Sequence, residues 1–185
     1  MTVTKQKYVA LLRGVNVGGN HPVPKKEFQA VLEGLGFSDV VIYLNSGNAV
    51  FASEVTPPTA TVQKALEAHF GFDIPTLILP GEQIKKIAAA IPASWSNDPP
   101  KPDKSGQKSD VLYLFEELNK PGVLAKIGHR PDVETMLYVD GAVLANVTRI
   151  NQTKYSLLKL MGTPEYKLIT IRNVNTARKL AELVS

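Results

Sequence analysis

The strongest constraint on the fold is an order of secondary-structure elements that occurs twice in the sequence. Runs of β-branched and aromatic residues alternate with runs of helical periodicity, and each half of the chain gives the order β-α-β-β-α-β-α. Without its last helix, this is the order of the ferredoxin-like fold. The repeat is one of pattern only. We therefore expect an α+β protein of two ferredoxin-like halves, each an antiparallel or mixed sheet with helices packed on one face.

Turn and cap residues mark the elements within each half. In the first half, Pro24 lies near the start of a helix and Gly36 has the position that follows a helix end. Ser46 and Gly47 join two β-rich runs in a hairpin. In the second half, the Asp-Gly pair at residues 140–141 is a strong signal for a two-residue hairpin turn. The run "TKYSLLKLMG" predicts a helix over residues 153–162.

A segment rich in proline and small polar residues separates the two halves. Residues 93–108 show no apolar periodicity, which is typical of a linker. We therefore predict a first half at residues 1–92 and a second half at residues 109–185. Trp95 lies inside the linker, and we expect it to pack back onto a neighbouring domain because an exposed tryptophan is costly to hydrate.

Composition narrows the class of protein. With 44% hydrophobic and 21% charged residues, the 185-residue chain is of ordinary globular type. The absence of cysteine excludes disulfides and thiolate metal sites. No apolar run is long enough to span a membrane, and the N-terminal sequence lacks the features of a secretory signal. We expect a cytoplasmic protein with no membrane partner, no metal and no cofactor, and the sequence leaves its oligomeric state open.

The positive charge of the chain is concentrated near its C-terminal end. Residues 149–185 contain 7 Lys and Arg against 2 Asp and Glu, a net charge of +5. The whole chain carries +4, so the remaining residues together carry a net charge of −1. A basic segment of this kind attracts anionic partners such as a phosphate or a nucleic acid. A solvated basic helix face explains the same charge equally well.

Two polar loops of the first half are expected to meet. In a ferredoxin-like sheet the first and second strands are parallel, so their C-terminal ends lie at one edge. The loop "RGVNVGGN" follows the first strand and the tip "NSGN" follows the second. Glycine permits close backbone approach, while Asn and Ser supply donors and acceptors. The candidate ligand-binding residues here are Arg13, Asn16, Gly18, Gly19, Asn45, Ser46, Gly47 and Asn48.

The same topology brings two segments of the second half together at the opposite edge. The third strand leads into "TRINQTK" and the fourth into "RNVNT". Lys154 and Thr176 are expected near helix starts, where the helix dipole and free N–H groups favour an anion. The residues expected to cluster here are Arg149, Asn151, Gln152, Lys154, Arg172, Asn173 and Asn175. For each residue alone, ordinary turn or cap chemistry is the competing explanation.

Motifs of known chemistry are absent or incomplete. The stretch from Gly14 to His21 resembles a P-loop but lacks the Lys and Ser/Thr, and no dinucleotide fingerprint occurs. No H-E-x-x-H or G-x-S-x-G is present, so the sequence indicates neither a zinc hydrolase nor a serine nucleophile. His21 borders the glycine loop and Tyr155 lies four residues before Lys159, which makes His21 and Tyr155 the candidates for an acid or base. The catalytic residues, if any, are unknown.

Three segments of the chain are similar to one bacterial family. "ALLRGVNVGGN", "LNSGNAVF" and "RNVNTARKLAEL" resemble the patterns LRGINVGG, SGN before a strand, and RNWNT before a last helix, which occur in proteins catalogued as domain of unknown function 1697. Val174 replaces the usual Trp, and residues 151–155 keep the Lys of the family's G-R-S-K-L segment but not its Arg-Ser pair. The resemblance covers nearly the whole chain. It implies a two-part ferredoxin-like α+β fold and no particular activity.

These observations lead to one functional expectation and two alternatives. We expect binding of an anionic small molecule, such as a phosphorylated one, between the two halves. The first alternative is a hydrolase or transferase with His21 or Tyr155 as acid or base. The second is a nucleic-acid-binding module that uses the basic segment, which the lack of interleaved aromatic residues disfavours.

Overall fold

Each half of the chain forms a four-stranded sheet with helices. The structure is a computed structural model and describes residues 5–185. The first seven elements are β1 (Gln6–Leu12), α1 (Lys25–Gly34), β2 (Ser38–Tyr43), β3 (Asn48–Ser53), α2 (Thr59–Phe70), β4 (Thr76–Pro80) and α3 (Gly81–Ala89). The next seven are β5 (Gln107–Leu114), α4 (Val123–Lys126), β6 (Glu134–Val139), β7 (Ala142–Thr148), α5 (Ser156–Leu160), β8 (Ile169–Asn173) and α6 (Val174–Leu183). Two 3-10 helices flank α5, at Arg149–Lys154 and Glu165–Leu168.

Strand order confirms the ferredoxin-like fold in both halves. The sheets have the orders β2-β3-β1-β4 and β6-β7-β5-β8, and every neighbouring pair is antiparallel. The first and third strands of each half are therefore central, and the first and second run in the same direction. The two-residue turn at Asp140 and Gly141 joins β6 to β7, as the sequence predicts.

Each sheet packs one face against its own helices. In the first half, Tyr8, Leu12 and Phe51 form a core with Phe28 of α1 and Leu66 of α2. In the second half, the corresponding core consists of Leu112, Leu114, Val123, Val143, Ala145, Tyr155, Leu160 and their neighbours. Residues of the central strands on the opposite faces, such as Val9 and Val111, are also fully buried. None of the helices within residues 5–185 is long and apolar enough to cross a membrane.

The chain divides into two compact units. The N-terminal unit comprises the described residues up to Lys85 together with Leu180–Ser185, and the C-terminal unit is Lys86–Lys179. Residues 93–106 lack regular secondary structure and lie within the C-terminal unit. There, Trp95 is 9% exposed and its carbonyl oxygen accepts hydrogen bonds from Arg178.

The helix that the sequence predicts over residues 153–162 is interrupted. The backbone of Tyr155 is extended, with φ −56° and ψ 130°, so α5 begins only at Ser156 and has five residues. This break buries the Tyr155 ring and lets the Ser156 N–H donate to the Glu134 carboxylate at 3.2 Å. Lys154 therefore ends a 3-10 helix and lies two residues before the first residue of α5.

Candidate functional site

The glycine loop after β1 is a miniature hairpin. Val17 and Asn20 form a bridge, closed by a 3.0 Å bond from the Asn20 N–H to the Val17 carbonyl oxygen. Between them, Gly18 and Gly19 have φ values of +58° and +79°. Two consecutive residues with positive φ are what a type I′ hairpin turn requires, and Gly-Gly supplies them without strain. The two glycines thus have a structural explanation that needs no ligand.

This hairpin is fastened to the turn between β2 and β3, as the topology predicts. The side-chain amide of Asn16 donates to the Asn45 carbonyl oxygen at 2.6 Å and to the Val23 carbonyl oxygen at 3.3 Å. Its oxygen accepts the Val23 N–H at 2.8 Å. The expected contact between the two loops is therefore present. Because these bonds use both N–H groups and the oxygen, Asn16 holds the loops together and leaves no donor for a ligand.

The turn itself is built around a buried asparagine. Asn48 is fully buried, and its amide donates to the Tyr43 carbonyl oxygen and to the Ser46 hydroxyl, both at 2.9 Å. Gly47 lies against Leu12, with no room for a side chain. Asn45 and Ser46 are exposed, and Arg13 is half-buried with its backbone N–H bonded to Pro75. The polar residues of this cluster thus mainly fix the chain.

His21 lies on the surface of the N-terminal unit. Its ring is exposed and stacks on Phe72, with ring centroids 4.6 Å apart. Two pockets are described below, one lined by residues between 5 and 55 and the other by residues between 108 and 171, and His21 lines neither of them. This placement counts against His21 as a catalytic acid or base, because a general base must reach its substrate within hydrogen-bonding distance.

The segments that follow β7 and β8 both start at the expected edge of the sheet, and their residues have different tasks. Thr148 of β7 and Asn173 of β8 are each paired with the first half of β5, one on either side of it. The Asn173 oxygen accepts the Thr176 N–H at 2.9 Å and caps α6. Lys154 and Asn175 are exposed.

Arg172 lies on the other face of this sheet. Neighbouring residues in a strand alternate between faces, so Arg172 points away from Asn173 and towards the side that carries Tyr113. It is 7% exposed and donates to the Thr170 hydroxyl and the Ile171 carbonyl oxygen. Burial lowers the pKa of Arg172 to about 10, so the guanidinium remains charged at neutral pH. Alternation thus separates Arg172 from the other residues expected to cluster with it.

A pocket opens within the C-terminal unit, and one residue of the predicted cluster, Gln152, lines it. Its volume is about 160 Å³, and it lies on the helix-covered side of the sheet. The lining residues are Lys108, Gln152, Tyr155, Leu157, Leu158, Met161, Tyr166 and Ile171. Six of these eight side chains are apolar or aromatic, including Tyr155. A mainly apolar lining with a few polar groups is typical of pockets for small organic ligands.

The polar groups of this pocket are hydrogen-bond donors. Lys108 uses one N–H on the Asp110 carboxylate at 2.5 Å, which leaves two. The Gln152 oxygen accepts a 2.7 Å bond from Arg149, and among the described residues its N–H₂ group has no bond. Tyr155 is 2% exposed, and its hydroxyl makes no hydrogen bond of acceptable geometry within the described chain. The pocket therefore suits a ligand that brings an acceptor.

The state of the Tyr155 hydroxyl follows from its surroundings. Burial raises the pKa of Tyr155 most, and the nearby carboxylates of Asp110 and Glu134 raise it further. The hydroxyl consequently stays protonated at neutral pH. Tyr155 can donate a hydrogen bond, but it is not suited to act as a base.

The buried Tyr155 hydroxyl distinguishes this pocket from the second one. It is one of three buried side-chain atoms without a partner in residues 5–185; the other two, Arg149 Nε and Tyr113 Oη, belong to residues outside the pocket lining. A second depression of about 230 Å³, lined by Lys5, Phe37 and Glu54 among others, contains no such atom. Within the described chain, no three His, Asp or Glu side chains are grouped as metal ligands.

Sequence reasoning missed Lys108 as a pocket residue. It lies in the segment expected to be a linker, although β5 begins at Gln107. The alternation of side chains along β5 could have indicated it. Lys108 and Asp110 share a face of the strand with the core residues Leu112 and Leu114, so the sequence places two opposite charges next to a core.

Comparisons with known proteins agree with this fold and do not assign a ligand. Residues 5–144 match the family described as "Protein of unknown function (DUF1697)". The structure of conserved bacterial protein SP0830 from Streptococcus pneumoniae is similar, with a TM-score of 0.76 and 28% sequence identity, covering 98% of this chain and 100% of that one. No curated protein matches the chain.

Proposed function

The chain belongs to the family described as protein of unknown function DUF1697, and from that premise we propose that its C-terminal unit binds a small organic anion. The anionic end lies at Lys108 and Gln152, and the apolar body packs against the side chains that line the remainder of the pocket. One observation carries the proposal: an apolar pocket of about 160 Å³ whose polar members offer donors. Lys108 and Gln152 are half-buried, and a donor that has lost part of its hydration gains energy from a ligand acceptor.

This proposal keeps the anionic ligand expected from the sequence but assigns it to other residues. The amides of Asn16 and Asn48 are occupied by chain contacts, and Arg172 is buried on the opposite side of its sheet. Of the residues that the sequence indicated, Arg149 keeps a supporting role. By occupying the Gln152 oxygen, its guanidinium leaves the Gln152 amide as a donor.

The structure offers less support for nucleic-acid binding through the basic segment. All three arginines of residues 149–185 donate to the chain itself: Arg149 to the Asp98 carbonyl oxygen, Arg172 to Thr170, and Arg178 to Pro92 and Trp95. Phosphate contacts would fall mainly to lysines. We therefore propose no second function.

A thermal-shift screen of small carboxylates, phosphates and sulfonates tests the proposal. A ligand at 100 times its dissociation constant adds about 2.7 kcal/mol to the free energy of unfolding. We expect a ligand to raise the melting temperature of the wild type and of Lys154→Met, which removes an exposed lysine that lines no described pocket. We expect no such rise for Lys108→Met.

Each variant is compared with its own unliganded melting temperature, because Lys108→Met also leaves Asp110 without its partner. If no anion in the panel raises the melting temperature of the wild type more than that of Lys108→Met, the proposed function is wrong.

A further inference from the structure

We propose that the ligand of this pocket is a monocarboxylate whose apolar body is no larger than a single aromatic ring. This inference rests on the proposed function and specifies its ligand class. Three features of the C-terminal unit support it: the volume of the pocket, the balance of charges around it and the number of donors at its polar end.

The volume limits the apolar body. A cavity of about 150 Å³ lined by aliphatic and aromatic side chains holds one benzene molecule. The pocket of about 160 Å³ is of that size, and Leu157, Tyr166 and Ile171 give it comparable walls. Leu158 and Met161 are 49% and 54% exposed, so they form its outer rim. A second ring would therefore extend beyond the rim into water.

The charges limit the anion to a single negative charge. Lys108 is the one cationic residue among the lining side chains, and it is already paired with Asp110. Asp110 and Glu134 are each 4% exposed, and both carboxylates lie close enough to the Tyr155 hydroxyl to raise its pKa. Arg149 does not line the pocket, and its guanidinium donates to Gln152 and to the Asp98 carbonyl oxygen. Neither carboxylate lines the pocket, but both are close to it, so a doubly charged group would be near two buried carboxylates with one ammonium to balance it.

The donors match the two oxygens of a carboxylate. The Lys108 ammonium has two N–H groups not used by Asp110, and the Gln152 amide offers its own N–H₂ group. Each carboxylate oxygen can thus accept from a different residue, while an alcohol of the same size would use only one of them. A phosphate monoester would bring a third oxygen and, at neutral pH, a second charge.

The inference is tested by isothermal titration of three probes that share one ring: benzoate, benzyl alcohol and phenyl phosphate. Titrations are run at pH 5 and pH 8, because the second pKa of a phosphate monoester is about 6. The ionisable groups around the pocket are Lys108, Asp110, Glu134, Tyr155 and Tyr166, and benzoate, largely ionised at both pH values, reports any change that they cause.

We expect benzoate to bind at least tenfold more tightly than benzyl alcohol at both pH values. We expect the affinity for phenyl phosphate to fall at least tenfold from pH 5 to pH 8, while that for benzoate changes less than twofold. The substitution Gln152→Leu should lower the affinity for benzoate at least fivefold and change the affinity for benzyl alcohol less than twofold. A merely structural role of Gln152 would lower both affinities alike. 4-Phenylbenzoate should gain less than threefold in affinity over benzoate, because its second ring stays in water and buries little apolar surface.

The outcomes that contradict the inference are distinct from those that contradict the proposed function. If phenyl phosphate at pH 8 binds as tightly as benzoate, the ligand class is wrong and the site remains. If 4-phenylbenzoate binds at least tenfold more tightly than benzoate, the second ring is buried and the size limit is wrong. Failure of benzoate, with some other anion shifting the wild type but not Lys108→Met, overturns the inference alone. If no anion passes that earlier test, both proposals fail.

Discussion

At the scale of single residues, Gly47 determines whether the turn between β2 and β3 can close against β1. Its φ is +75°, and a Cβ atom added there would lie 2.6 Å from Leu12 Cβ and 2.9 Å from Val15 Cγ2. These neighbours are buried and close to the backbone, so they cannot move aside easily. We expect Gly47→Ala to lower the free energy of unfolding by about 2–4 kcal/mol, from overpacking and left-handed strain together.

Gly14 provides a matched control for this substitution. Its φ is +72°, yet a Cβ atom there would meet nothing within 4 Å. We expect Gly14→Ala to cost only about 1 kcal/mol, the backbone strain alone. Urea unfolding of both variants measures the difference. Equal losses would mean that the contact with Leu12 and Val15 adds nothing.

The outcome at Asn16 shows which residue properties the sequence could predict. Topology alone indicates that the loop of residues 13–20 meets the β2–β3 turn, and the structure confirms the contact. The sequence does not indicate that every donor and acceptor of the Asn16 amide is satisfied by Val23 and Asn45. An asparagine in a loop sequence looks the same whether its amide binds a ligand or the chain itself. Only the three-dimensional positions of its partners distinguish the two.

At the scale of elements, the strands were predictable and the short helices of the second half were not. Strands β5 and β7 carry the apolar runs VLYL and AVLA, and the Asp-Gly turn fixes the β6–β7 register. The run at residues 153–162 predicts a single helix, but contacts of Ser156 with Glu134, 22 residues earlier, accompany a break at Tyr155. Propensity is a local quantity, so a distant carboxylate can override it.

Glu134 is the residue that fixes the start of α5. Its carboxylate accepts the Arg130 N–H at 2.9 Å, the Ser156 N–H at 3.2 Å and the Ser156 hydroxyl. We expect Glu134→Ala to cost about 2–4 kcal/mol, because it leaves buried donors without acceptors. Glu134→Gln keeps one carbonyl acceptor and should lose less. Chemical denaturation ranks the variants, and a loss for Glu134→Ala below that of Glu134→Gln would contradict this assignment.

The loop before β5 should make stability depend on pH through Asp98. Its carboxylate accepts the Gln107 N–H at 2.7 Å and the Ser96 hydroxyl at 2.9 Å, and these bonds lower the pKa of Asp98 below 3.8. A carboxyl group with a depressed pKa in the folded state stabilises above its unfolded pKa, and that stability is lost as the pH falls through the folded value.

We therefore expect wild type to exceed Asp98→Asn in stability at pH 7, with the difference shrinking steadily below pH 4. Unfolding at a series of pH values measures it. The matched control is Asp132→Asn, whose carboxylate is exposed and bonded only to the Arg130 side chain among the described contacts. A difference between wild type and Asp98→Asn that does not change with pH would contradict the assignment of the charge to these bonds.

At the scale of the whole molecule, the repeated pattern predicts the two sheets, but it does not indicate which residues complete each unit. The sequence suggests a boundary in residues 93–108, where composition changes. In the structure the compact units divide after Lys85 and after Lys179. Composition reports where the chain is irregular, whereas unit membership depends on contacts distant in sequence. The candidate pocket was missed for the same reason, since Lys108 and Gln152 meet only in three dimensions.

The last residues of the chain should be needed for the N-terminal unit. Lys7 of β1 donates to the carbonyl oxygens of Leu183 and Ser185 at 3.1 and 2.9 Å. Gly81 lies so close to Val184 that a Cβ atom added there would be 3.1 Å from Val184 Cβ. Leu180 is fully buried and Val184 is 6% exposed. These contacts join the C-terminal residues to β1 and to the start of α3, which precede them by about a hundred residues or more.

We expect the double variant Leu180→Ala and Val184→Ala to lose about 3–6 kcal/mol of unfolding free energy, because both substitutions remove buried methyl groups. Ser185→Ala changes an exposed side chain at the same end and should stay within about 0.5 kcal/mol of the wild type. Hydrogen exchange locates the effect: amides of β1 and β4 should lose protection in the double variant, because Leu180 and Val184 belong to their unit. Unchanged exchange in β1 and β4, with loss confined to β5 and β8, would show that the end of α6 stabilises the C-terminal unit instead.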